Sequence, residues 1–209
     1  MRTFPFILSM FFMLPALAQN NSEQLLQKTV SKLEKDKGIF MKMEVETRFD
    51  DDTDNIDMEL KMQNGNFCVR ENDNMMWFDG KTLWRGNDFG SGIEEIYITE
   101  PDQDEKSRYD IIGLLGRHQG FSVTGNGTDT FTLTASTPER SVEGICRIQV
   151  QVDTKTLVIK TMQVEFDQQL GNISASINVT EYKPGQKFDK QVFTCPVNDY
   201  KDAEIIDLR

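Results

Sequence analysis

From Ile39 to Gln63 the chain keeps a period of two almost without fault. In IFMKMEVETRF, Ile39, Met41, Met43, Val45, Thr47 and Phe49 fall on one side, and Lys42, Glu44, Glu46 and Arg48 on the other. After a loop expected over Asp50–Asp54, Ile56, Met58, Leu60 and Met62 repeat the apolar set against Asp57, Glu59, Lys61 and Gln63. Successive strand side chains point to opposite faces, so this pattern demands a sheet with one greasy and one wet face. ISASINVT alternates in the same way, placing Ile173, Ala175, Ile177 and Val179 together. Further strands are predicted around Phe67–Val69, EEIYIT, Phe121–Val123, Thr130–Ala135, Gly144–Val152, Leu157–Phe166 and Gln191–Cys195. Ten or eleven strands in one sheet tend to curl. The expected architecture is mainly β with some α: a single strongly curved antiparallel sheet, an incomplete β-barrel covered by helices.

The hairpin MMWFDGKTLW is unusual in being apolar on both sides. A two-residue turn at Asp79-Gly80 would pair Trp77 with Thr82, Met76 with Leu83 and Met75 with Trp84. Met75, Trp77 and Trp84 then share one side, and Met76, Phe78 and Leu83 the other. One side can line the hollow of the curved sheet; the other needs a cover, and the sequence leaves open which is which.

Two helical segments are available as covers. Ser22 is the expected N-cap of the first, Leu25, Leu26, Thr29, Val30 and Leu33 form its apolar stripe, and Gly38 ends it. The second, at about 101–118, opens on Pro101 with acidic Asp102, Asp104 and Glu105 and ends in DIIGLLG. Gly113 and Gly116 each cost about 1 kcal/mol inside a helix, so this segment is expected to be short or broken. Its Ile111, Ile112, Leu114 and Leu115 read as the apolar underside of a lid.

Residues 1–18 combine Arg2, an apolar run from Phe4 to Leu17 and the small-x-small site Ala16-Leu17-Ala18. That is the pattern of a secretory signal peptide, too short for a membrane span. It leaves residues 19–209 as one domain, exported and, with Gln19 rather than Cys at the new terminus, not lipid-anchored. Loss of Arg2 takes the formal charge from -11 to -12. So acidic a chain is a poor partner for nucleic acid or anionic lipid. Cys68, Cys146 and Cys195 are an odd number without metal-ligand spacing. Any single pairing is open, and small buried strand residues are the simpler reading. The single histidine, His118, has no catalytic motif around it, and the Asp50–Asp54 carboxylates lack the turn glycine and distal glutamate of a calcium loop. Neither enzyme chemistry nor a cofactor or metal is expected.

The ordered set of helix, alternating strands, Asp-Gly hairpin, helical insert and late strand pair resembles the LolA family of periplasmic lipoprotein carriers. MMWFDGKTLW is similar to that family's hairpin, and MQVEFDQQLGNISASINVTEYKPGQKFDKQVFTCP to its closing strands. The resemblance covers essentially all of residues 19–209. It implies a monomeric periplasmic chaperone whose hollow takes the acyl chains of lipoproteins, collected from an inner-membrane Lol-type ABC transporter and passed to an outer-membrane acceptor. One departure concerns the Arg-Pro with which the family holds its lid: MELKMQNGN has Lys61, Met62 and Gln63 there.

Under this reading the acyl-chain site comprises Met41, Met43, Val45, Met58, Leu60 and Met62 from the first two strands. Phe67, Trp77 and Trp84 join from the hairpin region, Ile111, Ile112, Leu114 and Leu115 from the lid, and Val164 and Phe166 from a late strand. Hiding a chain of about fourteen methylenes is worth roughly 11 kcal/mol at about 0.8 kcal/mol per CH2. Cargo that must also leave calls for adaptable contacts, which methionine supplies. A regulatory module of the same fold that senses lipid or misplaced lipoprotein is the alternative.

Overall fold

The computed structural model describes residues 14–50, 52–101, 115, 121–125, 127–135, 144–167 and 172–209. Of the second helical segment only Pro101 and Leu115 are among them, so Ile111, Ile112 and Leu114 lie outside the described residues.

The first helix, α1 (Leu14–Lys35), ends as the sequence predicts, just before Gly38. Gly38 takes a φ of +83°, and a Cβ there would stand 2.0 Å from the Gln186 carbonyl oxygen; the Gln186 N–H donates to the Gly38 carbonyl at 3.0 Å. No other residue type fits that crossing. The expected start at Ser22 is corrected. Ser22 lies inside the helix, 4 % exposed, and a Cβ on Gly125 would meet its Oγ at 2.0 Å. Close packing against the sheet, not capping, uses this serine. Leu26, Thr29 and Leu33 are buried, and the Thr29 hydroxyl donates back to the Leu25 carbonyl at 2.9 Å, which makes a buried threonine tolerable.

Among the described residues twelve strands follow: β1 (Ile39–Phe49), β2 (Asp52–Gln63), β3 (Asn66–Glu71), β4 (Asn74–Phe78), β5 (Leu83–Asp88), β6 (Ile93–Thr99), β7 (Phe121–Thr124), β8 (Thr130–Ala135), β9 (Ile145–Val152), β10 (Ile159–Phe166), β11 (Ile173–Pro184) and β12 (Glu204–Asp207). They form one sheet in the order β12-β6-β5-β4-β3-β2-β1-β11-β10-β9-β8-β7. The ends, β12 and β7, do not pair with each other, so the sheet is open. Its pairs are antiparallel except β12 on β6. Each sequence-adjacent run is a meander, except that β11 returns to lie beside β1 and so joins the two halves.

Four expectations are corrected here. Asp52, Thr53 and Asp54 belong to β2, because Asp50 at a φ of +52° turns the chain at once. Leu157, at +57°, is still in a turn capped by Asp153, whose Oδ1 accepts the N–H groups of Lys155 and Thr156, so β10 starts at Ile159. Gln191–Cys195 is not a strand but runs through a 3-10 turn, η1 (Lys190–Phe193), where the Asp189 carboxylate accepts the Gln191 N–H. A second turn, η2 (Val197–Asp199), leads to β12, a strand that the sequence reading did not include. Finally, the hairpin loop spans Asp79 to Thr82, with Asp79 Oδ1 accepting from the N–H groups of Lys81 at 2.9 Å and Thr82 at 2.8 Å. Trp77 therefore pairs with Trp84, and Phe78 with Leu83. The slip from the expected register is two residues, which leaves every side chain on the side predicted for it.

Candidate functional site: the inner face of the open sheet

Strand register assembles the inner face, the one on which α1 packs, as rungs of side chains running across the sheet. One rung passes through Ile39, Met62, Phe67, Phe78 and Leu83. The next passes through Tyr182, Met41, Leu60, Val69 and Met76 and ends on Arg85 and Tyr97. In the other half, Phe131, Val150, Met162, Ile177, Val45 and Ile56 form a third. Paired residues lie about 4.5–5.5 Å apart, so each rung is continuous, and apolar except where the second ends on Arg85 and Tyr97.

These strips gather into two clusters. The larger holds Met41, Met43, Val45, Leu115 and Val164 buried among the helix stripe and the β7–β10 side chains, with Phe166 packed on it half-buried. The smaller holds Phe67, Val69, Phe78 and Leu83, with the Phe67 and Phe78 rings 5.2 Å apart. Met58, Leu60 and Met62 touch both clusters and remain only half-buried. Each cluster thus borders the same three flexible or branched side chains, which are covered less than the cores that flank them.

Trp77 and Trp84, expected in the same site, lie on the outer face. With Cys68, Ile96 and Ile98 they form a third cluster, covered by Phe188, Phe193, Cys195 and Tyr200 from the segment that carries η1 and η2. The Trp77 and Tyr200 rings stand 6.0 Å apart, and Phe188 meets Phe193 edge-on at 6.0 Å. Gln63 clamps this strap: its amide accepts from the Phe188 N–H at 2.9 Å and donates to the Phe188 carbonyl at 3.4 Å. The hairpin is apolar on both sides because Met76, Phe78 and Leu83 face the inner side while Trp77 and Trp84 take the strap. Val69, Met76, Phe78 and Leu83 are inner-face residues that the expected site omitted. The signal for them was available in the alternation from Phe67, but not the decision between the two sides.

Polar chemistry bounds this face. Arg85 and Tyr97 close the second rung beside a hollow of about 190 Å³ lined by Val69, Met76, Arg85 and Asn87 among others. The Tyr97 hydroxyl donates to Glu95 at 2.9 Å, which raises its pKa. On β2, Lys61, the one basic residue of MELKMQNGN, pairs with Cys68 on the outer face and meets Glu59 at 3.3 Å, so it does not reach the inner side, whereas Met62 does. The outer face of β1, β2 and β11 is polar, with a hollow of about 440 Å³ bordered by Glu44, Glu46, Asn55, Asp57 and Asn178. Its carboxylates are unsuited to hydrocarbon. Among the described residues no helix is long and apolar enough to cross a membrane.

No family model and no curated protein matches the sequence. Solved structures do match the fold. An uncharacterized conserved protein from Thermus thermophilus is similar over 89 % of this chain and 99 % of its own, with a TM-score of 0.54 and 12 % identity. A LolA superfamily protein from Nitrosomonas europaea is similar over 86 % and 98 %, at 0.43 and 13 % identity. LprF from Mycobacterium bovis is similar over 85 % and 97 %, at 0.46 and 13 %. The fold of this chain is that of the Thermus thermophilus protein.

Proposed function

We propose that this protein is a divergent LolA-like carrier that shelters lipoprotein acyl chains on the inner face of its sheet, outside the cytoplasm, between an inner-membrane donor and an outer-membrane acceptor. The observation that carries the reading is the half-covered strip of Met58, Leu60 and Met62 between two closed apolar clusters. A sheet built only for stability would bury that strip fully, since each covered side chain is worth about 1.5–3 kcal/mol. A carrier needs such a strip to accept hydrocarbon, and needs it in side chains that repack when the guest departs. The acidic charge suits a carrier that does not settle on anionic membranes.

The test is purification from the native host with mass spectrometry of bound lipid, for the wild type and for the triple variant M58N/L60N/M62N. The wild type should carry acylated lipoprotein and the variant, still folded by circular dichroism, about a hundredfold less, since three apolar contacts of about 1 kcal/mol each are lost. A wild type that holds no acylated species, and strips none from inner-membrane vesicles, overturns the reading. Bound lipid that is never delivered to acceptor membranes would favour the sensing alternative.

A further inference from the structure

Of the three cysteines, two share one buried cluster. Cys68, on the outer face of β3, and Cys195, two residues beyond η1, lie in one buried cluster with Trp77, Ile96, Ile98 and Phe193, each of the two 6 % exposed. The Gln63 clamp sets how the strap lies over β3, and η1 packs directly on β3 and β4. Cys146 is far off in register, on β9, where its thiol donates to the Glu165 carbonyl at 3.2 Å. We infer that Cys68 and Cys195 are a disulfide site that, when oxidised, ties the C-terminal strap to β3, while Cys146 stays a free thiol. Both sulfurs are thiols in this structure. Closing the bond removes the two S–H protons and forms one S–S bond; the two electrons reduce the S–S bond of a protein disulfide oxidant or of glutathione disulfide to two thiols. Burial raises the pKa of both thiols, and Cys195 lies close enough to Cys68 to feel its charge. The thiolate is the reacting form, so closure belongs to folding, before the strap settles, rather than to the finished protein. The bond would enclose every strand from β4 to β11, and loops of that size limit the unfolded chain most.

The inference goes beyond the proposed function and depends on it only for the oxidising compartment. Two samples test it: the chain isolated from the host's extracytoplasmic fraction with thiols alkylated at lysis, and the purified chain refolded from urea in a glutathione redox buffer. Non-reducing tryptic mapping should show residues 62–70 linked to residues 191–201, with residues 141–147 alkylated. Relative to the wild type, C68S should be cleaved after Lys187 and Lys190 about tenfold faster. Three alkylated cysteines in both samples, or a link through Cys146, overturns the pairing. A link in the refolded sample with free thiols in the cellular one leaves the pairing standing and counts against the compartment. Loss of bound lipid would instead strike the carrier reading, so the two failures are distinct.

Discussion

Cys195 shows what folding asks of a buried titratable group. Burial first, then Asp199 and Cys68, push its thiol from the ordinary 9.0 up to about 12. Cys68 moves in the same direction, burial again leading and Lys61 opposing. In the unfolded chain a thiol ionises near pH 9, whereas in the folded chain Cys195 stays neutral until about pH 12. The stability that comes from keeping Cys195 neutral is therefore fully present below about pH 9 and is lost as pH climbs from there towards about 12. Reduced wild-type protein should lose urea midpoint between about pH 8 and about pH 10.5 more steeply than C195A does. Parallel profiles would mean that the thiol is not held neutral by its surroundings. Tyr182 shifts the same way, through burial and then its 2.6 Å hydrogen bond to Asp36, but it is common to both proteins and drops out of the comparison.

The strap that carries η1 and η2 has almost no ladder of its own before β12, and two 3-10 turns hold few internal hydrogen bonds. Its order depends on aromatic packing against Trp77 and on the two hydrogen bonds from Gln63. At about 1 kcal/mol net for each bond, Q63A should destabilise the protein by about 2 kcal/mol in urea titration. The loss should also be local. Hydrogen exchange should rise over residues 188–200 and stay unchanged in β8 and β9. A uniform rise through both halves of the sheet would show that the strap has no separate stability.

The molecule as a whole is an open twelve-stranded sheet with two inner clusters that share three side chains instead of one closed core. A guest that binds the folded state alone adds RT ln(1 + [L]/Kd), about 2.7 kcal/mol at a hundredfold excess over Kd. A diacylated lipopeptide should therefore raise the Tm of the wild type in a concentration-dependent way, and the shift should vanish in M58N/L60N/M62N. An equal shift in both proteins would place the lipid elsewhere. The formal charge of -11 makes anionic membranes unattractive resting places for the chain.

Period two alone made β1, β2 and β11 legible almost in full, down to which residues share the inner face, because a strand's faces are a local property of alternation. The same logic grouped the hairpin side chains correctly although the assumed turn was two residues too short. The alternation could not say which group looks inward, since that depends on a cover from far along the chain. The cover is the strap, and QVFTC reads locally as a strand; it becomes a turn because Asp189 caps it and Phe193 is buried in the cluster that holds Trp77. For the same reason Trp77 and Trp84 could be read as cargo-facing, and Met76, Phe78 and Leu83 missed. Ser22 looked like a cap until its contact with Gly125, about a hundred residues on, was visible. The pairing of Cys68 with Cys195 likewise has no local signal. Alternation specifies surfaces; which surface meets which is settled by long-range packing, where the apolar area of distant segments is buried together.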